Sequence, residues 1–166
     1  DEEGYWFWKV DGKGKRVWSK MFPATEQDEI IALSHIGPDS WMALGQRFVD
    51  SGGYTPFIQS IDANGNVGQA IMLDAFGISH AFLLLADGSL LIAGSAEKDR
   101  SSTGNGSGGT GYDGWLLKAG ASGKILWQKW IDKGADEAIF AVLQAPDAGF
   151  ICLANSGKLD KFGSGI

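Results

Sequence analysis

Two histidines, one cysteine, two acidic dipeptides, a glycine-rich run and a group of aromatics are the residues whose chemistry is worth weighing first. His35 and His80 have no Cys and no second His at ligand spacing, so the nitrogen-and-sulfur pattern of a zinc site is missing. Asp28-Glu29 and Asp136-Glu137 could serve acid–base chemistry as paired carboxylates. They recur, however, and a recurring acid reads as one that holds a turn by accepting local backbone amides. The run Ser101 to Gly111 lacks what a phosphate cradle requires, since a strand and not a helix follows it. Only Asp99 and Asp113 flank it, too few acids for a glycine–aspartate calcium repeat. Within it, Gly104-Asn105-Gly106-Ser107-Gly108 has no helix behind it to make a nucleophile elbow. Cys152 alternates within an apolar strand and reads as a small buried hydrophobe. These patterns predict no catalytic residue, no metal and no cofactor. The aromatics differ: Tyr5, Trp6, Trp8 and Trp41 are dense enough to form a stacking platform for a sugar or an anchor for a protein. Trp6 and Trp8 share one face of a strand, with Phe7 on the other.

Composition narrows the partners. Fourteen Lys and Arg stand against twenty Asp and Glu, a net charge of −6 without a basic run, which argues against nucleic acid. No apolar run reaches the length of a membrane span. A hydrophobic fraction of 44% with 25 Gly and 7 Trp, and 20% charged residues, is the composition of an all-β chain with many turns. The single cysteine excludes an internal disulfide. The chain begins at Asp1 without Met, as a processed chain or a fragment does.

The stretch Gly114 to Ser156 sets the pattern for the elements. Trp115 to Ala119, Ile125 to Ile131, Ala138 to Gln144 and Phe150 to Ala154 are short apolar runs separated by turn residues, and predict a four-stranded meander. The unit recurs. Trp6 to Val10, Val17 to Phe22, Ile30 to Ile36 and Trp41 to Gly45 repeat it at the start, with Gly14 matching Gly123 and Trp18 matching Trp127. A degenerate middle copy runs through Pro56 to Ile61, Val67 to Leu73, Ser79 to Leu85 and Leu90 to Gly94. A period of about 54 residues with four strands each is a repeat architecture, in which a unit buries its faces against its neighbours. The chain divides into units of about 4–53, 54–111 and 112–166, with the Gly/Ser-rich 101–111 as a connecting loop.

These residues resemble the bacterial and archaeal β-propeller repeats, whose blades pair a W-x-x-K-x-D-x-x-G strand and turn with later D-D-x-A and D-G-G-Y-I elements. Trp115, Lys118, Gly123, Trp127, Asp136, Glu137, Asp147, Gly149 and Ile151 carry the likeness in the third unit. Trp6, Lys9, Asp11, Gly14, Trp18, Asp28, Glu29, Asp39 and Gly45 carry it in the first, and Asp62, Gly65, Asp87, Gly88, Ala93 and Gly94 in the second. The Gly-Lys-x-x-Trp elements at Gly14–Trp18 and Gly123–Trp127 are more distantly similar to those of quinoprotein-dehydrogenase blades. The resemblance implies four-stranded antiparallel blades, Trp18, Trp115 and Trp127 as blade-packing residues, and a secreted, periplasmic or cell-surface location. It implies no reaction.

Propellers close with roughly four to eight blades, and three leave two open edges. The expectation is therefore a partial propeller, completed by another copy, another chain or further sequence. A β-trefoil is the other arrangement of three four-stranded units, although its Gln-x-Trp element stands here once, at Gln128-Lys129-Trp130. The function expected is a non-catalytic module for protein–protein interaction or assembly, acting by self-association or with a second chain. The alternatives are a carbohydrate-binding, lectin-like module that takes a glycan on Tyr5, Trp6, Trp8 and Trp41, and an accessory or substrate-entry domain of a larger enzyme.

Overall fold

A computed structural model describes residues 4–23, 25, 27–50, 52–97 and 111–157. The connection 101–110, expected as a loop, lies outside these residues. Twelve strands follow one another: β1 (Gly4–Val10), β2 (Arg16–Pro23), β3 (Asp28–Gly37), β4 (Ser40–Val49), β5 (Gly53–Ile61), β6 (Ile71–Met72), β7 (Ile78–Leu84), β8 (Leu90–Ala96), β9 (Asp113–Ala119), β10 (Ile125–Ile131), β11 (Asp136–Gln144) and β12 (Phe150–Gly157). The chain is all-β, with no helix among the described residues and hence none able to cross a membrane.

Turn chemistry fixes the strand ends. Asp11 Oδ1 accepts the amides of Lys13 and Lys15, and Asp62 Oδ1 accepts those of Asn64 and Asn66. Each turn closes on a glycine at positive φ: Gly14 after β1, Gly65 after β5 and Gly123 after β9. Gly88, at φ 76°, does the same between β7 and β8. In the matching turn between β11 and β12 the position belongs to Ala148, at φ 64°.

The strands lie where the sequence puts them, except that Val67 to Leu73 is strand only at Ile71–Met72, with a lone bridge at Val67, and their pairing is shifted by two. The stretch Gly114–Ser156 is not one sheet: β9 and β10 join β8 and β7 in the order β10-β9-β8-β7, while β11 and β12 form a separate hairpin. The other four-stranded sheet is β3-β4-β5-β6, and β1 and β2 are a second separate hairpin. All sheets are antiparallel, and none closes on itself. Burial gives the reason. Each residue of β8 is buried, and so is all of β9 except Lys118, which requires a neighbour on both edges and cover on both faces. Pairing β8 with β9, from Leu90 opposite Ala119 to Ala96 opposite Asp113, supplies those edges. The β4–β5 pair repeats this arrangement, from Trp41 opposite Ile61 to Val49 opposite Gly53.

Three apolar clusters mark three interfaces between the layers. Phe7, Ala43 and Ile61, with Tyr5, Trp18 and Trp41, join the β1–β2 hairpin to the first sheet. Leu44, Ile58, Leu90, Ile92, Trp115 and Leu117 join the first sheet to the second. Leu91, Ala93, Leu116, Ile139 and Val142 join the second sheet to the β11–β12 hairpin. The layers therefore stack hairpin, sheet, sheet, hairpin, and their strands β3, β7 and β11 lie side by side.

Candidate functional site

Matching registers give every strand its counterparts. A bulge interrupts β3 between Ile30 and Ala32, β7 between Ser79 and Ala81, and β11 between Ile139 and Ala141, opposite Gly45, Gly94 and Ala154. Across the other edge of those strands, Gly45 faces Phe57 and Gly94 faces Trp115. Lys9 opposite Trp18 and Lys118 opposite Trp127 then set Trp6 as the counterpart of Trp115 and Phe57. So β1–β2 corresponds to β5–β6 and β9–β10, the outer half of a sheet. The β11–β12 hairpin corresponds to β3–β4 and β7–β8, the inner half.

This places the aromatics expected to bind. Trp6 and Trp8 lie on the outward face of β1, 56% and 61% exposed, with ring centroids 5.4 Å apart. Tyr5 and Trp41 lie elsewhere. Both pack into the cluster around Phe7 beneath the hairpin, and the Lys9 ammonium stands 5.1 Å over the Trp41 ring while reaching Asp39 at 3.9 Å. Two of the four thus share an open surface and two are inside an interface. Tyr5 borders a cleft of about 390 Å³ with Asp28, Arg47 and Gln59, whose two charges are paired with each other. Its hydroxyl is buried without a hydrogen-bond partner among the described residues. Burial, and then the charges of Asp28 and Glu29, push its pKa up to about 12.

The three tryptophans expected to pack are all at interfaces between layers. Trp18 lies against Gly65, where an added Cβ would come within 3.0 Å of its ring, and its Nε1 donates to Ala63 O at 3.1 Å. Trp115 is fully buried and donates to Gln128 Oε1. Trp127 packs near Phe150 of the β11–β12 hairpin.

The far hairpin carries its own open surface. Leu143, Ile151 and Leu153 are 66%, 64% and 67% exposed on one face, whereas Leu91 and Ala93, the counterparts of Ile151 and Leu153, are fully buried. Cys152 is half-buried on the opposite face, and burial raises its thiol pKa, the setting of an unreactive thiol.

The histidines are not together. His35 is exposed beside Trp41, while His80 is stacked on Phe140 at 4.7 Å, and burial depresses its pKa. The acidic dipeptides do not repeat in register. Counting from the bulge, Glu137 and not Asp136 takes the place of Asp28. Asp28 is bound by Arg47; burial opposes its charge, yet the Arg47 hydrogen bond and charge hold its carboxyl below the usual range. Glu29 accepts from Gln46 Nε2 at 2.8 Å, Asp136 from the Tyr112 amide, and Glu137 from Ser156 Oγ at 2.8 Å.

Sequence spacing did not reveal one grouping. Asp113, Asp132 and Glu137 come from β9, the end of β10 and β11, and meet with carboxylate oxygens within 4.8 Å of one another. Only the pairing of β9 with β10 and the docking of β11 bring them together. No protein-family model matches the chain, and no curated protein matches it in sequence.

Proposed function

We propose that the chain is a non-catalytic β-propeller segment that works by assembly, and that the open β12 edge of one copy takes the open β1 edge of a second. One observation carries the reading: among the described residues, one of the two terminal hairpins lacks the inner half of a sheet and the other lacks the outer half. Face-to-face stacking of the layers, with β3, β7 and β11 side by side, supports blades around an axis. The absence of a closed barrel among the described sheets favours this over a trefoil.

The β8–β9 register supplies the register of the join. Leu91 opposite Lys118 becomes Ile151 opposite Lys9 of the second copy, and Gly94 opposite Trp115 becomes Ala154 opposite Trp6. Strand addition of this kind satisfies the backbone groups of two edges at once, and apolar side chains set which edges fit. Leu153 would then cover the second copy's first sheet beside its Phe7. Trp6 and Trp8 of that copy would cover the second sheet of the first copy, where Trp127 is half-buried and Lys129 exposed. Two copies joined at both ends make six four-stranded sheets, within the number that propellers close with.

Light scattering on the eluting protein tests this directly. The expected mass is twice the 17.7 kDa of one chain; a stable monomer at high micromolar concentration contradicts the reading.

A further inference from the structure

The cleft of about 390 Å³ beside Tyr5 lies between the β1–β2 hairpin and the first sheet, and Phe22 and Val67 line it together with Asp28, Arg47 and Gln59. A volume of that size falls among small-molecule pockets, roughly 300–1,000 Å³. The matching place between the two sheets, bordered by Gly77 and Ala96, holds about 110 Å³.

The counterparts show what sets the larger cleft apart. Counted from the bulges and from the glycines opposite them, Asp28 takes the place of Gly77, Arg47 that of Ala96 and Gln59 that of Leu117. Ala96 and Leu117 are buried in the apolar cluster between the two sheets. The first sheet therefore carries three polar side chains on the face where the second packs small or aliphatic ones, and all three line the cleft. Polar groups at such an interface cost stability unless something bonds them.

Their bonds within the chain leave capacity over. Arg47 grips Asp28 through Nε and Nη2, so Nη1 has no hydrogen-bond partner among the described residues. Gln59 Nε2 donates to Gly68 O at 3.0 Å, and Oε1 is left without a partner there. The buried Tyr5 hydroxyl has none either. The charges of Asp28 and Arg47 cancel, and the whole chain carries −6, so the cleft offers little attraction to an anion. What remains is a donor, an acceptor and a hydroxyl that can be both, beside the half-buried ring of Phe22. A sugar ring has the same two characters, since its hydroxyls donate and accept while its C–H face is apolar and suits an aromatic ring.

We propose that this cleft binds one neutral sugar ring, with Arg47 and Gln59 taking its hydroxyls and Phe22 its apolar face. The site is on the opposite face of β1 from Trp6 and Trp8. It lies within one chain, so it stands or falls separately from assembly.

Calorimetric titration of the full chain with glucose, galactose, mannose and N-acetylglucosamine tests the proposal. At least one is expected to bind saturably, one ring per chain. Glucuronic acid, of similar size but charged, is expected to bind at least tenfold more weakly than the best neutral sugar. Gln59→Leu installs the residue of the second sheet; it is expected to fold, as circular dichroism would show, and to weaken binding at least tenfold. Tyr5→Phe should weaken it several-fold. The absence of saturable binding of all four neutral sugars by the parent chain overturns the proposal. So does a Kd that folded Gln59→Leu and Tyr5→Phe both leave unaltered, which would put the sugar elsewhere on the chain, or tighter binding of glucuronic acid than of any neutral sugar.

Discussion

Trp115 and Trp6 occupy the same position in two copies of one strand, and they have opposite fates. Trp115, in the middle of a four-stranded sheet with layers on both faces, is completely buried and bonded to Gln128. Trp6, in a hairpin with one sheet beneath it and nothing described above, is 56% exposed. The same contrast separates Leu117 from Trp8, Leu91 from Ile151 and Ala93 from Leu153. An interior sheet thus shows what a finished environment for each side chain looks like, and a terminal hairpin shows which parts of that environment are missing. The larger aromatic side chains at Trp6 and Trp8 are apolar area of the kind that anchors protein interfaces.

The comparison breaks if interior and terminal positions respond alike to truncation. The largest effect is expected at the interior: Trp115→Ala should cost about 3–5 kcal/mol of folding stability in urea unfolding, because it opens a cavity between the two sheets. The matching Trp6→Ala should leave the folding of the single chain nearly unchanged. It should instead weaken assembly by about 2 kcal/mol or more, read as a rise of at least thirtyfold in the dissociation constant on dilution. Equal losses of folding stability in the two variants would end the distinction.

Turns offer a smaller and cleaner contrast. Gly88 makes the β7–β8 turn at positive φ without cost, while Ala148 holds the same conformation in the β11–β12 turn. Ala148→Gly is expected to stabilise by up to about 1 kcal/mol, and Gly88→Ala to destabilise by a similar amount, both measured by thermal unfolding. The smallest effect at neutral pH concerns His80, which bridges the second sheet and the terminal hairpin through Phe140. Burial depresses its pKa in the folded state, so its contribution is present above about pH 6.5 and is lost as the pH falls below that value. His80→Phe should flatten the decline of Tm between pH 7 and pH 5; an unchanged decline would assign the acid sensitivity elsewhere.

The positions of the strands and turns were legible because they are encoded locally. Asp11, Asp62 and Asp87 bind amides within their own turns, and the glycines that follow need no distant partner. The grouping into sheets was not, because it depends on which edges remain unpaired. The repeat reads from Trp115 through Ala154 as one meander, yet the continuous burial of β8 and β9 decides that these two pair across the unit boundary. Register was hidden for a related reason. The period of two along a strand means that a slip of one residue exchanges faces, and laying the acidic pairs on each other makes that slip: counted from Trp18 and Trp127, the tenth residue is Asp28 in one copy (28−18) and Glu137 in the other (137−127). Asp136-Glu137 therefore looks like a copy of Asp28-Glu29 in sequence, while Glu137 alone inherits the place of Asp28. That slip also concealed the acid cluster, whose members share no spacing and meet only once three strands are in register.

The central claim is that the two hairpins are complementary halves of one sheet, and a cross-link tests it most directly. Lys9 and Ile151 are the residues set opposite each other by the β8–β9 register, at a separation that a disulfide can span. In a Cys152→Ser background, a chain carrying both Lys9→Cys and Ile151→Cys is expected to form disulfide-linked species between copies under mild oxidation, at dilutions where each single variant forms almost none. A doubly substituted chain that folds yet stays monomeric and uncross-linked would contradict the account.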